Sequence, residues 1–131
     1  MDDVVLYGAA YSVYVRIARL TLAEKGVPYR LVEVDVFDDE AAREAHLVRQ
    51  PFGKIPAFAH GGFQIYETTA ICRYVDETFA GPRLQPSTPR DRARMMQAIS
   101  ILDSYAYRTL VWDIFAERVM MPSQGRAPDE A

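Results

Sequence analysis

Two hydroxyl side chains stand where the chain passes from extended to helical character, and both positions suit anion chemistry. Ser12 follows the short apolar run Val4-Val5-Leu6-Tyr7 and opens a stretch with helical spacing. A hydroxyl there can cap the first turn by accepting a backbone N–H. It can equally donate to an anion that the helix N-terminus already favours. Glu67 and Thr68 stand at the start of a second helical stretch. Thr68 reads either as an N-cap or as a carboxylate ligand, and Glu67 either as a favourable anion beside the helix start or as a binding group. Tyr7 is a rival hydroxyl but reads as a buried strand residue. The single cysteine, Cys72, lies among Ala70, Ile71 and Val75 and reads as a core thiol, not a nucleophile.

These groups need a scaffold, and the chain supplies its elements in order. Val4 to Tyr7 is a strand ended by Gly8, and Ser12 opens a helix with the stripe Val13, Ile17, Leu20 and Ala23, stopped by Lys25-Gly26. Tyr29 to Val36 alternates Val32, Val34 and Val36 and reads as a second strand. Strand, helix and strand in so short a span imply a right-handed parallel unit. Asp38 to Val48 is polar and alanine-rich, a short helix broken by Pro51-Phe52-Gly53. Ala57 to His60 and Phe63 to Tyr66 flank Gly61-Gly62 and form an antiparallel hairpin. A helix from Thr68 to Phe79 turns Ile71, Tyr74, Val75 and Phe79 inward. Residues 81–89 hold one glycine and three prolines and read as a linker. Thr88-Pro89-Arg90-Asp91 then carries a cap residue, a first-turn proline and a first-turn carboxylate. The long helix that follows reaches about Met120, where Pro122 blocks it. The organisation is therefore one α/β domain over residues 1–80, a linker over 81–89, and the start of an all-helical domain over 90–131.

The 131 residues are half apolar and a quarter charged, a globular composition with a net charge of −3. Without a basic stripe, nucleic acid is not an expected partner. No long apolar run or leader pattern is present, and a lone thiol suits a reducing compartment, so the chain reads as soluble and cytoplasmic, without a membrane partner.

Three short motifs make the order specific. Leu6-Tyr7-Gly8 with Ser12 resembles the opening of the phi, theta and tau glutathione transferases and their bacterial relatives. Gln50-Pro51-Phe52-Gly53-Lys54-Ile55-Pro56 is similar to the family's Asn-Pro-Phe-Gly-x-(Val/Ile)-Pro, and Tyr66-Glu67-Thr68-Thr69-Ala70-Ile71 to its Glu-Ser-x-Ala-Ile. The resemblance to the glutathione S-transferase family covers residues 4 to about 120. It implies a thioredoxin-like domain, β-α-β, a helix, then β-β-α on a mixed four-stranded sheet, followed by the first long helix of an all-helical domain. Gln50 replaces the family's usual asparagine and Thr68 its usual serine. The basic residue that often holds the glycine carboxylate has no counterpart, since Ala42 stands there, and Arg43 or His46 is left to serve.

The resemblance further implies an activity and its residues. Glutathione is the co-substrate, no metal takes part, and a small hydrophobic electrophile is the second substrate. Ser12 is the catalytic hydroxyl that stabilises the thiolate. A thiol near pKa 8.5 is only about 3% ionised at pH 7, and lowering it to roughly 6.5 raises that to about three-quarters. Lys54, Ile55, Pro56, Glu67 and Thr68 bind glutathione: the acidic residue meets the γ-glutamyl ammonium, the Thr68 hydroxyl meets its carboxylate, and a cis peptide at Pro56 exposes the Ile55 backbone to the cysteinyl part. Lys54 is otherwise a solvated lysine. Tyr11 and Tyr105 are candidate electrophile contacts, although Tyr105, Tyr107 and Trp112 at helical spacing also read as core. Phe52 is either core or a plug into a partner subunit. The resemblance implies a two-fold dimer of about 200 residues per subunit, and apolar groups on several sides of the long helix, Met95, Ile99 and Leu102 on one and Ile101, Leu110, Val111 and Ile114 elsewhere, call for covering helices or a partner. The alternative is a non-catalytic binding or regulatory module on the same fold. A thiol-disulfide oxidoreductase is excluded, because no cysteine lies between Gly8 and Arg16.

Overall fold

The computed structural model describes residues 2–37 and 39–129; Asp38, where the polar helix was expected to begin, lies outside them. The chain divides into two compact units, Met1–Gln85 and Pro86–Ala131.

In the first unit the apolar run at the N-terminus forms strand β1 (Val4–Tyr7). It is followed by helix α1 (Val13–Glu24), β2 (Arg30–Val32), α2 (Glu40–His46), β3 (Ala57–His60), β4 (Phe63–Tyr66) and α3 (Thr68–Thr78). The strands make one mixed sheet in the order β2-β1-β3-β4, with β1 and β2 parallel and the other pairs antiparallel. This is the thioredoxin-like arrangement expected from the sequence. Val4 and Leu6 of β1 pack with Phe58 of β3 against Val15, Ala18 and Leu22 of α1 and Ile71 and Val75 of α3.

Two expectations need correction. The second strand is only Arg30–Val32, not Tyr29 to Val36. Beyond Val32 the acidic side chains satisfy backbone groups themselves: Glu33 accepts from the Ala10 amide, and Asp35 Oδ1 accepts from the Phe37 amide at 2.9 Å. The Asp35 bond is local and competes with a sheet ladder, while Glu33 ties its segment to the loop after β1. The inward stripe of α1 is Val15, Ala18 and Leu22, while Val13, Ile17 and Leu20 are exposed. Aliphatic residues occupy both faces of this helix, so periodicity alone does not choose between them. The buried face carries Ala18, whose small side chain suits close helix packing; Thr21 Oγ1 then reaches Cys72 Sγ at 3.2 Å. Burial pushes the Cys72 thiol up, against the Thr21 hydrogen bond, which fits the packing role read for it.

Gly8 sits at a crowded junction. A Cβ there would lie 2.5 Å from Val15 Cγ2 and 3.3 Å from Ile55 Cβ. Gly8→Ala is therefore expected to destabilise the protein by about 1–3 kcal/mol, as overpacking of a filled site does, readable as a lower denaturant midpoint at unchanged slope.

A buried ion pair ties the end of this unit together. Lys25 Nζ donates to the Asp76 carboxylate at 3.1 Å, to the Asp76 carbonyl at 3.0 Å and to the Pro82 carbonyl at 3.0 Å. Asp76 also accepts from the amides of Leu84 and Gln85 and from the Gln85 side chain.

The second unit opens with α4 (Pro89–Ile101), capped by Thr88, which accepts from the Asp91 amide at 3.2 Å, with Pro89 in the first turn. The helix then widens to i→i+5 hydrogen bonding over Leu102–Ala106 and Arg108–Met120 and closes with α5 (Met121–Ser123). The long run ends at Met120, close to where the sequence places the stop, and α5 carries the helix one residue past Pro122, to Ser123. Pro122 thus lies in the last turn of the continuous helix. The stop is Gly125 at φ 74, where the Gly125 and Arg126 amides bond back to Pro122 and Met121. Ile101, Leu102, Leu110 and Ile114 are exposed, and Ala116 is the one buried residue among those described in the unit. No helix among the described residues is long and apolar enough to cross a membrane.

Candidate active site

Strand register gathers the motif residues at one end of the sheet. Tyr7 pairs with Ala57, and Ala57 with Tyr66. Three segments therefore leave neighbouring strands side by side: Gly8 to Ser12 after β1, Ile55-Pro56 before β3, and Glu67-Thr68 after β4. With strands ~4.8 Å apart, the strand ends from which the three depart lie within about 10 Å of one another. Val32 pairs with Tyr7 from the other side and brings Glu33 to the same end.

Ser12 is the N-cap of α1, its Oγ 3.5 Å from the Val15 amide. A serine oxygen that accepts in this way keeps its O–H for donation elsewhere, so capping and donation are compatible. The loop before it is tethered: both Glu33 carboxylate oxygens accept from the Ala10 amide, at 3.3 and 3.2 Å, and the Tyr11 hydroxyl donates to Asp35 Oδ1 at 3.3 Å. Sequence reasoning assigned neither Glu33 nor Asp35 a part here. Both fall in the segment taken for strand, which hid them. The rival hydroxyl, Tyr7, has the Arg49 guanidinium 4.5 Å over its ring.

The Ile55–Pro56 peptide is cis, as the resemblance implied. Pro56 is buried, and the Lys54 side chain is exposed. Glu67 sits at φ 74, the one left-handed residue other than glycine among those described, and it, not Thr68, is the N-cap of α3. Its carboxylate makes no capping bond and is exposed; Thr68 is the first helical residue and half-buried. The free amides of the α3 N-terminus adjoin both, a setting that favours a ligand carboxylate. His46, one of two residues considered for the glycine carboxylate, is fully buried and bonded to the Lys54 carbonyl, so it cannot serve; Arg43 remains exposed.

The other sequence candidates are exposed. Phe52 is 70% exposed, its edge against Tyr66 at a centroid distance of 6.3 Å, so it is not core. Tyr105 belongs to the second unit and is 78% exposed, not packed. In the same unit burial raises the Tyr107 hydroxyl, opposed by a hydrogen bond with Trp112.

A thioredoxin-like domain with a cis-proline loop facing a hydroxyl-capped helix defines a recognisable class. Residues 6–83 match the family described as glutathione S-transferase, N-terminal domain. Glutathione S-transferase F6 of Arabidopsis thaliana is 33% identical over 99% of this chain and 62% of its own length. Glutathione S-transferase hmp2 of Hypomyces subiculosus is 40% identical over 76% of this chain and 48% of its own. Among solved structures, glutathione transferase F2 of Populus trichocarpa superposes with a TM-score of 0.84 at 28% identity, over 98% of this chain and 60% of that one. The theta class glutathione S-transferase of Xanthomonas axonopodis pv. citri, solved with glutathione bound, gives 0.83 at 28% identity over 96% and 60%. The chain belongs to the glutathione S-transferase family. It spans about 60% of the length of these fuller matches.

Proposed function

We propose that this chain binds glutathione at the sheet end described above and that the protein conjugates its thiol to a small hydrophobic electrophile. The observation that carries the reading is Glu67. A non-glycine residue held at φ 74 costs on the order of 1–3 kcal/mol and persists where the surroundings demand it, above all at ligand sites. Here the strain turns an uncapped carboxylate outward beside free helix amides. Glu67 meets the γ-glutamyl ammonium, and Thr68 with the α3 amides meets the adjoining carboxylate. The Ile55 backbone pairs with the cysteinyl part, and Lys54 or Arg43 holds the glycine carboxylate. Ser12 donates to sulfur and favours its thiolate. The thiol proton leaves to solvent, and the sulfur lone pair forms the new bond as the leaving group departs with its electrons or the electrophile takes up the charge. Tyr11, oriented by Asp35, faces the electrophile, with Tyr105 a further candidate contact. The exposed apolar residues of the second unit suit coverage by further helices and a two-fold partner, and we place the protein in the cytoplasm.

Calorimetric titration of the full-length protein with glutathione tests the reading. Binding is expected at micromolar to millimolar affinity. Glu67→Ala should weaken it about tenfold, near the lower end for losing a hydrogen bond between charged groups. No heat from the wild type at millimolar glutathione would favour the non-catalytic module instead.

A further inference from the structure

Two buried polar side chains, one at the end of α2 and one in the turn after it, take no part in the binding reading, yet both hold the loop that carries Ile55-Pro56. Gln50 is 2% exposed, and its Oε1 accepts from the Phe52 amide at 2.6 Å and the Lys54 amide at 3.3 Å. His46, the last residue of α2, is 0% exposed, with Nε2 2.8 Å from the Lys54 carbonyl oxygen. A carbonyl only accepts, so Nε2 carries the hydrogen and the neutral ring presents Nδ1 as a bare acceptor. Nδ1 is buried and has no hydrogen-bond partner among the described residues. The imidazole is thus built into the loop in one charge state. A second proton would place an N–H donor and a positive charge where no acceptor waits.

The charged groups around the ring reinforce this. Arg49, in the turn after α2, opposes a charge on the imidazole, as burial does more strongly, while the Lys54 carbonyl favours it; the balance holds His46 below the usual histidine range. Arg43 lies one turn back on α2 and packs toward Gly53, and Lys54 extends its ammonium from the loop itself. Because the folded state disfavours the charged ring, the stabilisation is fully present above the ordinary value of ~6.5 and is lost as pH falls through the lowered one.

We propose that His46 is the positioning residue of the glutathione loop: its neutral buried ring fixes the Lys54 carbonyl, and with it the Ile55 backbone, and a second proton, which puts a charge and an unaccepted Nδ1–H into that buried site, drives the ring out and releases them, so that glutathione affinity falls in weak acid. The proposal rests on the glutathione-site reading given above. The probe is S-methylglutathione, which has no thiol to titrate, measured by calorimetry on the full-length protein between pH 7.5 and 5.0, alongside an NMR titration of the histidine rings and backbone amides. The wild-type affinity is expected to fall about three- to sixfold across this range, because a one-unit difference in titration between free and bound protein gives its full tenfold only well below both titrations, and His46 is already held below the usual histidine range. His46→Gln keeps an N–H donor for the Lys54 carbonyl but does not titrate, and should flatten the profile. His46→Phe removes the donor and should weaken binding equally at all pH values. A pH-independent wild-type affinity, or an unchanged slope in His46→Gln, overturns the proposal. So does His46 titration that leaves the Phe52, Lys54 and Ile55 amide signals still. Absence of binding at every pH would sink the glutathione reading, while the amide shifts would still decide whether His46 positions the loop.

Discussion

Replacing Ser12 with alanine is expected to slow conjugation about 25-fold at pH 7, approaching 100-fold below pH 6, while glutathione affinity changes little. Two pKa units on the thiol, roughly 2.7 kcal/mol, separate about three-quarters thiolate from about 3% at neutral pH. A hydroxyl donor at the positive end of α1 is a source of that order. The pH midpoint of the bound thiolate's ultraviolet absorbance is the direct reading, and it should rise in Ser12→Ala. Loss of the cap is a separate and smaller effect. The Oγ to Val15 amide distance of 3.5 Å makes a weak bond, and glycine retains most N-cap stability. Ser12→Gly should therefore preserve thermal stability and still show the raised midpoint. Tyr7 supplies the control. Its neighbours in β1, Leu6 above all, face the α1 and α3 core, whereas its own ring lies under Arg49. Tyr7→Phe should leave the midpoint unmoved; if it moves the midpoint and Ser12→Ala does not, the catalytic hydroxyl is Tyr7.

The parts of this fold that were legible in sequence are those set by local chemistry. The hairpin around Gly61-Gly62, the Ser12 and Thr88 caps, and the Lys25-Gly26 stop each follow from one or two residues whose backbone preferences leave few alternatives. The order of elements made the mixed sheet inferable, and register then placed three separated motifs at one sheet end. What periodicity could not resolve was the inward face of α1, because Val13, Ile17 and Leu20 are as aliphatic as Val15 and Leu22 and only packing against α3 distinguishes them. Long-range polar bonds were hidden for a related reason. Glu33 reads as an outward strand residue, and nothing in its neighbourhood reports that its carboxylate meets Ala10. Gln50 was visible as a departure from the family's asparagine, but its two loop bonds were not. The widened hydrogen bonding after Ile101 left no sequence signal, since the residues of Arg108–Met120 would serve an α-helix equally well.

The largest stability effect is expected from Asp76→Ala. The Asp76 and Lys25 side chains are each 3% exposed, and the ammonium spends its three donors on the Asp76 carboxylate, the Asp76 carbonyl and the Pro82 carbonyl. Removing the carboxylate strands a buried charge and leaves the Leu84 and Gln85 amides without their acceptor. Breaking a buried pair in this way costs about 3–5 kcal/mol, which corresponds to a fall in Tm of more than about 10 °C for a domain of this size. Lys25→Met should cost less, because the Asp76 carboxylate keeps three N–H donors from Leu84 and Gln85. Burial pushes the Asp76 carboxyl up, but the Leu84 amide, the Gln85 side chain and Lys25 together bring it down to about 2. Its contribution is therefore complete above the ordinary carboxyl value and is lost only as pH falls through about 2, so the wild type should not lose this contribution between pH 7 and pH 4. Hydrogen exchange locates the effect. In Asp76→Ala the Leu84 and Gln85 amides should lose protection first, while the β3–β4 hairpin amides keep theirs until global unfolding. A Tm within about 2 °C of wild type would mean that Lys25 is not left as an uncompensated buried charge, and that the path of residues 82–85 is held by something other than Asp76.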